Sequence, residues 1–477
     1  MSEVNMLEIP ARMDSRSELL ALSTYGDTRN IVLTAFEVVG PYDVEAGREA
    51  IARASKEFPQ VMSCIKEIKV RGRHYLGWDH RPDLPLPLTV TDLPASRQSG
   101  PLLDAILKHL SPWLDREWDL FEEVAVWFRF VRVAEDHYVL VSAFHHVASD
   151  AGTASEFGRS FLSHYHEIMW GRKPDWTQEA HAISSSSKRK VRVRKPNWRE
   201  RLASARQTLD NLLEKPTLPV GTGHSDDTGQ HHTKRVLSAD LTEQIARSSI
   251  KNGVSLVDLL TACSNMAVDQ WNEKRNVKPG ILTTSMTVNT RGRFAGYDQP
   301  NNSSVIFFRS SPEERTDPRR FSRSLALTRI KHFRHQTDLK YLHDIERMMN
   351  LVRLFPFKLR RRIVHRVVNR HQFSIGVTLL GVLWPKMRNG KPTADTVMTE
   401  CGDLAITEVH GLGYKLLSST RVVLFVYAFK SKMNLILASH ACLFSSQEAA
   451  EFLDLIVKNL LEKVGAAPLQ SGSSSNM

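Results

Sequence analysis

The chain has 477 residues, 42% of them hydrophobic and 24% charged, with a formal net charge of +12. It is too long for one ordinary core, so two domains of roughly 200 residues each are expected, and its composition excludes a disordered or fibrous protein. No window approaches the ~18 to 20 consecutive apolar residues of a membrane span, and "MSEVNMLEIPARMDSRSELL" lacks the apolar stretch of a secretory signal.

"NIVLTAFEVVG", 30 to 40, is β-branched and apolar and ends at Gly40-Pro41, which predicts a strand and then a turn. Asp43 can cap the next helix, whose apolar face would carry Val44, Ile51, Ala54 and Phe58. "IKEIKVRGRHYLGWD" reads as a hairpin, and "PLLDAILKHLSPWLDREW", 101 to 118, has helical periodicity. "EVAVWFRFVRV", 123 to 133, alternates, and "HYVLVSAFHH", 137 to 146, is its expected hairpin partner. Thr153 and Glu156 fit a T-x-x-E capping box for the helix that follows. Asp150 and Gly152 would then lie just upstream, in a strand-to-helix turn that opens into a cleft.

Residues 172 to 235 look like a connector: "ISSSSKRKVRVRKP" is serine-rich and then basic, "WRERLASARQTLDNLLEK" is helical, and "PTLPVGTGHSDDTGQHHTK" is polar. His231 and His232 lack a following acid and are expected to be linker histidines. The pattern then resumes with a short strand, a helix capped around Ser238 to Asp240, and a second long helix. Strands are expected at 280 to 290 and 302 to 311, helices across 318 to 370, and strands at "FSIGVTLLGVL", "LAITEVHGLG" and "VVLFVYAFKSKMNLILASH". A closing helix covers "SQEAAEFLDLIVKNLLEKV". The class is α/β, in two loosely similar halves: 1–175, carrying the paired histidines, a connector at 176–235, and 236–477.

Cys64, Cys263, Cys401 and Cys442 are scattered without a C-x-x-C pair, which suggests neither a disulfide framework nor a zinc knuckle and fits a reducing cytoplasm. No metal is expected. Much of the positive charge sits in "KRKVRVRK" and in the helical stretch from Arg329 to Arg370. No nucleic-acid-binding motif accompanies it, so nucleic acid is not an expected partner. The segment "MMNLVRLFPFKLRRRIVHRVVNRHQF" is expected to be a helix pair packed on the core with a solvated basic face. The competing reading is a docking surface for an acidic carrier protein or anionic lipid headgroups.

The informative stretch is "VLVSAFHHVASDAGTASEF", where His145 and His146 end an apolar strand, Asp150 follows and Ala151-Gly152 comes next. "HHVASDAG" resembles the HHxxxDG signature of the chloramphenicol-acetyltransferase-like acyltransferases, among them nonribosomal peptide condensation domains and wax ester synthase/diacylglycerol acyltransferases. "LTAFEVVGPYDVEAGREAIARASKEFPQV" is similar to that superfamily's first strand and helix. "MTVNTRGRFAGYDQPNNSSVIFF" resembles the segment supplying an arginine, followed by an Asn-rich turn.

The resemblance implies two chloramphenicol-acetyltransferase-like α/β sandwich lobes with a central tunnel at their interface. It implies His146 as general base, His145 as a structural residue, and Asp150 pairing with Arg291, or failing that Arg293. Ala151 stands where the motif has glycine, with Gly152 one position later; the amides of this turn would stabilise an oxyanion. The implied reaction moves an acyl group from a phosphopantetheine thioester, acyl-CoA or an acidic acyl-carrier protein, to an amine or hydroxyl acceptor, with no permanently bound cofactor. Two alternatives are a wax ester or diacylglycerol type O-acyltransferase in peripheral contact with the inner face of a membrane, and a non-catalytic homologue that binds a carrier or lipid.

Overall fold

The computed structural model describes residues 12–26, 28–94, 101–174, 215–223, 229–290, 301–370, 373–388, 391–397, 399–416 and 419–466. In the first half, α1 (Ser15–Ser23), β1 (Ile31–Val39) and α2 (Val44–Glu57) lead into the hairpin β2 (Ser63–Val70) and β3 (Arg73–His80). β4 (Leu88–Asp92), α3 (Leu102–Leu114), β5 (Val126–Ala134), β6 (His137–His145) and α4 (Ala151–Trp170) follow. The second half runs β7 (Gln230–Leu237), α5 (Ala239–Lys251), α6 (Leu256–Glu273), β8 (Leu282–Asn289), β9 (Ser303–Ser310), α7 (Pro318–Arg334), α8 (Thr337–Val352) and α9 (Phe357–Arg370). It ends with β10 (Ile375–Val382), β11 (Pro385–Arg388), β12 (Lys391–Val397), β13 (Glu400–Cys401), β14 (Leu404–Tyr414), β15 (Val422–Phe429), β16 (Lys432–His440) and α10 (Ser446–Val464).

The fold is mixed α/β and contains two six-stranded sheets, ordered β13-β14-β1-β6-β5-β4 and β7-β16-β15-β10-β8-β9. β1 is apolar along nearly its whole length because it is central, with β14 on one side and β6 on the other. Its neighbour β14 comes from the far end of the chain, so the second half completes the first sheet. Trp384 reinforces this crossover: its ring packs edge-on against Phe36, and its indole N–H donates to the Ser155 carbonyl on α4 at 3.2 Å. In the second sheet β10 pairs in parallel with both β8 and β15. α6 and α10 cover that sheet with Leu260, Trp271, Phe452 and Leu460.

Two expectations are corrected. Asp150, not Thr153, caps α4: its carboxylate accepts the Thr153 amide at 2.9 Å, and the helix begins at Ala151. The short acceptor three residues before Thr153 satisfies an orphan first-turn donor, so the helix starts earlier than a T-x-x-E box would allow. His231 and His232 are not linker residues but lie within β7, where His232 stacks on Tyr414 and bonds the Gly413 carbonyl. The expected helix "WRERLASARQTLDNLLEK" lies outside the described residues. Three of the four cysteines are buried, Cys442 partly, and all are free thiols. Among the described residues, no helix is long and apolar enough to cross a membrane.

Candidate active site

The site grows from the end of β6. Ile31 pairs with His145 across the sheet, and the His146 amide donates to the Asn30 carbonyl at 2.6 Å, so the strand is held to its last residue before the chain turns into α4. Asn30 adopts a left-handed conformation (φ 51°), which asparagine tolerates, and its side-chain amide donates to Leu20 O, Ser23 Oγ and Thr24 Oγ1. The C-terminal end of α1 is thereby fastened beside the histidines.

His145 is fully buried, with Trp118 edge-on at 5.5 Å between ring centroids. Its Nδ1 accepts the Val147 amide at 3.2 Å, so the ring proton sits on Nε2 and is donated to Thr24 Oγ1 at 3.0 Å. Thr24 in turn donates to the Leu20 carbonyl at 2.9 Å. Every polar atom of the ring is used within the neutral form. Burial, with a smaller contribution from His146, pushes its pKa down to about 3. His145 is a structural imidazole with no lone pair to spare.

His146 carries the opposite tautomer. Asn301 donates from Nδ2 to the backbone carbonyls of His146 (2.6 Å) and Val147 (3.1 Å) and, more weakly, to Ser17 Oγ (3.4 Å). Carbonyls only accept, so the amide orientation of Asn301 is fixed and its Oδ1 faces His146 Nδ1 at 3.1 Å. The ring proton must therefore lie on Nδ1, which leaves the Nε2 lone pair for chemistry. The residue is half-buried, unlike His145 beside it. Desolvation lowers its pKa first and the positive charge of Arg16 second, while Asp150 opposes both. The imidazole is accordingly neutral at pH 7, the state a general base requires.

Asp150 is buried, and its second carboxylate oxygen accepts the Asn302 amide at 2.8 Å. Adjacent asparagines from the second half thus grip both ends of the motif: Asn301 holds His146 and Asn302 holds Asp150. Arg291 and Arg293, expected as partners of Asp150, lie outside the described residues. Ala151 is the first residue of α4, a right-handed helical position open to any L-residue, and its φ is not positive. The backbone therefore does not demand glycine there. The structure brings His145, His146, Asp150, Ala151 and Gly152 together at one strand-to-helix corner.

Sequence reasoning missed Arg16, Ser17, Thr24, Asn30 and Asn301. Arg16, whose guanidinium donates to Ser303 Oγ at 2.8 Å, lies on α1 close enough to His146 to depress its pKa. "PNNSS" was legible only as an Asn-rich turn; nothing local marks which asparagine meets the base. Among the described residues, no group of three or more His, Cys, Asp or Glu side chains could hold a metal ion.

Comparison with known proteins fits this geometry. The family model for the condensation domain matches residues 83–285. Solved structures agree in fold over nearly the whole chain. The first condensation domain of the CDA synthetase superposes with a TM-score of 0.63 at 14% identity, covering 96% of each chain. The trichothecene 15-O-acetyltransferase of Fusarium sporotrichioides gives 0.63 at 10% identity, covering 95% of this chain and 94% of that one. The X-domain from teicoplanin biosynthesis gives 0.58 at 13%, covering 98% and 97%. No curated protein sequence matches. The resemblance read from "HHVASDAG" and the two-lobed α/β fold it implied are borne out.

Proposed function

We propose that the protein transfers an acyl group from a phosphopantetheine thioester, on coenzyme A or a carrier protein, to an amine or hydroxyl acceptor, with His146 as general base. The observation that carries this reading is the tautomer: Asn301 holds the ring proton on Nδ1 and leaves Nε2 available. Nε2 takes the proton of the acceptor N–H or O–H as the acceptor attacks the thioester carbonyl. The tetrahedral intermediate collapses by breaking the C–S bond, and the departing thiolate takes the proton back from the imidazolium. The first-turn amides of Ala151 and Gly152 at the N-terminus of α4 are suited to stabilising the oxyanion.

The reading is supported by the condensation-domain match and by neighbours of both bond types. One is a starter condensation domain in complex with C8-CoA and Leu-SNAC, and another is an O-acetyltransferase. The test is to incubate the purified protein with a panel of acyl-CoA and acyl-carrier thioesters and mixed amine and alcohol acceptors, and to read the products by mass. His146→Ala is expected to lower turnover by about 10²–10⁴. A product formed equally fast by that variant would end this reading.

A further inference from the structure

The helix pair α8–α9 packs on the core through Ile345, Met349, Val352 and Val364, but its corner departs from the sequence pattern. Two arginines expected on the solvated basic face are buried: Arg353 donates to Glu18 at 2.8 Å, and Arg360 donates to Glu18 at 2.7 Å and to Glu67 at 3.0 Å. Phe357 and Ile363 pack against the core as expected, but a run of apolar residues at the corner between the helices faces solvent. Leu351 is 68% exposed, Leu354 54%, Phe355 40% and Leu359 41%, all within nine positions of the α8–α9 corner. Single exposed hydrophobes need no explanation, but a contiguous cluster at one corner does. Lys358, Arg362 and Arg366 are exposed on the same helix, each four residues from the next, beside Leu359. Nearby acids are engaged: Glu117 with Arg361, Asp344 with Arg347, and Glu346 with His343.

We propose that the α8–α9 corner docks the protein on an anionic lipid surface. Leu351, Leu354, Phe355 and Leu359 would enter the headgroup–acyl boundary, while the aliphatic stems of Lys358, Arg362 and Arg366 lie along it and their charges meet lipid phosphates. The combination of a protruding apolar cluster with flanking cations suits a lipid interface better than a folded acidic protein, which would satisfy the charges but leave the prongs in water. Docking there also places the candidate site close to the surface. Arg361 on α9 donates to the Thr24 carbonyl at 2.7 Å, and the Thr24 hydroxyl contacts His145.

The test is co-sedimentation of the full chain with phosphatidylcholine vesicles containing about one-third phosphatidylserine, against pure phosphatidylcholine. This readout is independent of any catalytic activity. The wild type is expected to partition onto the anionic vesicles. The charge-neutral triple variant Leu351→Ser, Leu354→Ser, Phe355→Ser is expected to bind at least about tenfold more weakly. A second variant, Lys358→Gln, Arg362→Gln, Arg366→Gln, is expected to lose roughly a hundredfold. Both touch only solvent-facing side chains, so their melting temperatures should stay near the wild type's. No binding by the wild type overturns the proposal. So does equal binding by the serine variant, which would assign adsorption to the net charge alone. Capture of an acidic carrier protein through the same residues, with vesicles ignored, overturns it as well.

Discussion

Replacing Asn301 with aspartate keeps an oxygen opposite His146 Nδ1 but exchanges a neutral amide for a carboxylate at the same 3.1 Å. An opposite charge at that range raises a histidine pKa by about 1–3 units, or roughly 1.4–4 kcal/mol at 1.36 kcal/mol per unit. In the wild type the His146 pKa lies below its ordinary 6.5, so the acid limb of the kcat/KM profile should also fall below it. In Asn301→Asp the limb should move upward, each unit of rise above the working pH costing about tenfold of neutral base. The new carboxylate also faces the His146 and Val147 carbonyls at 2.6 and 3.1 Å, and two lost donors should cost about 2–6 kcal/mol of stability. Asn301→Ala removes orientation without adding charge: kcat/KM should fall while the limb stays put. The assays are pH–rate profiles below the variant's melting temperature and direct titration of the His146 ring protons by NMR. A folded Asn301→Asp protein whose His146 titrates as in the wild type would refute the argument, because the amide would then not be setting the base.

Other consequences are equally open to measurement. Arg16→Met should raise the His146 pKa and shift the acid limb upward, since a repelling charge is removed; an unmoved limb would place Arg16 out of reach of the base. Because folding depresses the pKa of His145 to about 3, the unfolded state binds the proton first, and stability should fall as pH drops below about 6.5, by about 2 kcal/mol at pH 5 from this residue. Urea denaturation of the wild type and of His145→Gln at pH 7 and pH 5 checks that slope, which the variant should largely lose. Glu18→Gln takes the carboxylate from two buried guanidiniums and should destabilise the fold by ~3–5 kcal/mol, seen as a lowered urea midpoint. Ala151→Gly should leave acyl transfer within about twofold while costing roughly 0.5–1 kcal/mol, because the position is helical; a large gain in rate would show that the motif glycine is needed for more than backbone freedom.

The elements themselves were legible because alternation and 3.6-residue periodicity are local. β6, which runs up to the paired histidines, and the helix after it could be read from some thirty residues. Partners could not. His146 meets Asn301 across 155 positions, and Arg360 meets Glu18 across 342. A buried, paired arginine has the same local pattern as a solvated one, so Arg353 and Arg360 were read as part of the solvated face. The α4 cap was misplaced for a different reason: Thr153 and Glu156 match a capping box locally, and only the geometry of the strand end makes Asp150 the cap. The α1 helix, with nothing catalytic in its composition, supplies Arg16 and Ser17 to the surroundings of His146 and leads directly into Thr24.

The antiparallel seam between β1 and β14 makes the halves of this chain inseparable. A fragment ending near residue 290 would retain both motif histidines and α4, yet it would bare one whole edge of the nine-residue β1, together with the greasy surface that Trp384 normally shields. Such an unpaired, apolar edge recruits other chains. Expressed alone, the fragment should aggregate, and co-expression with the remainder is the route by which it could be rescued.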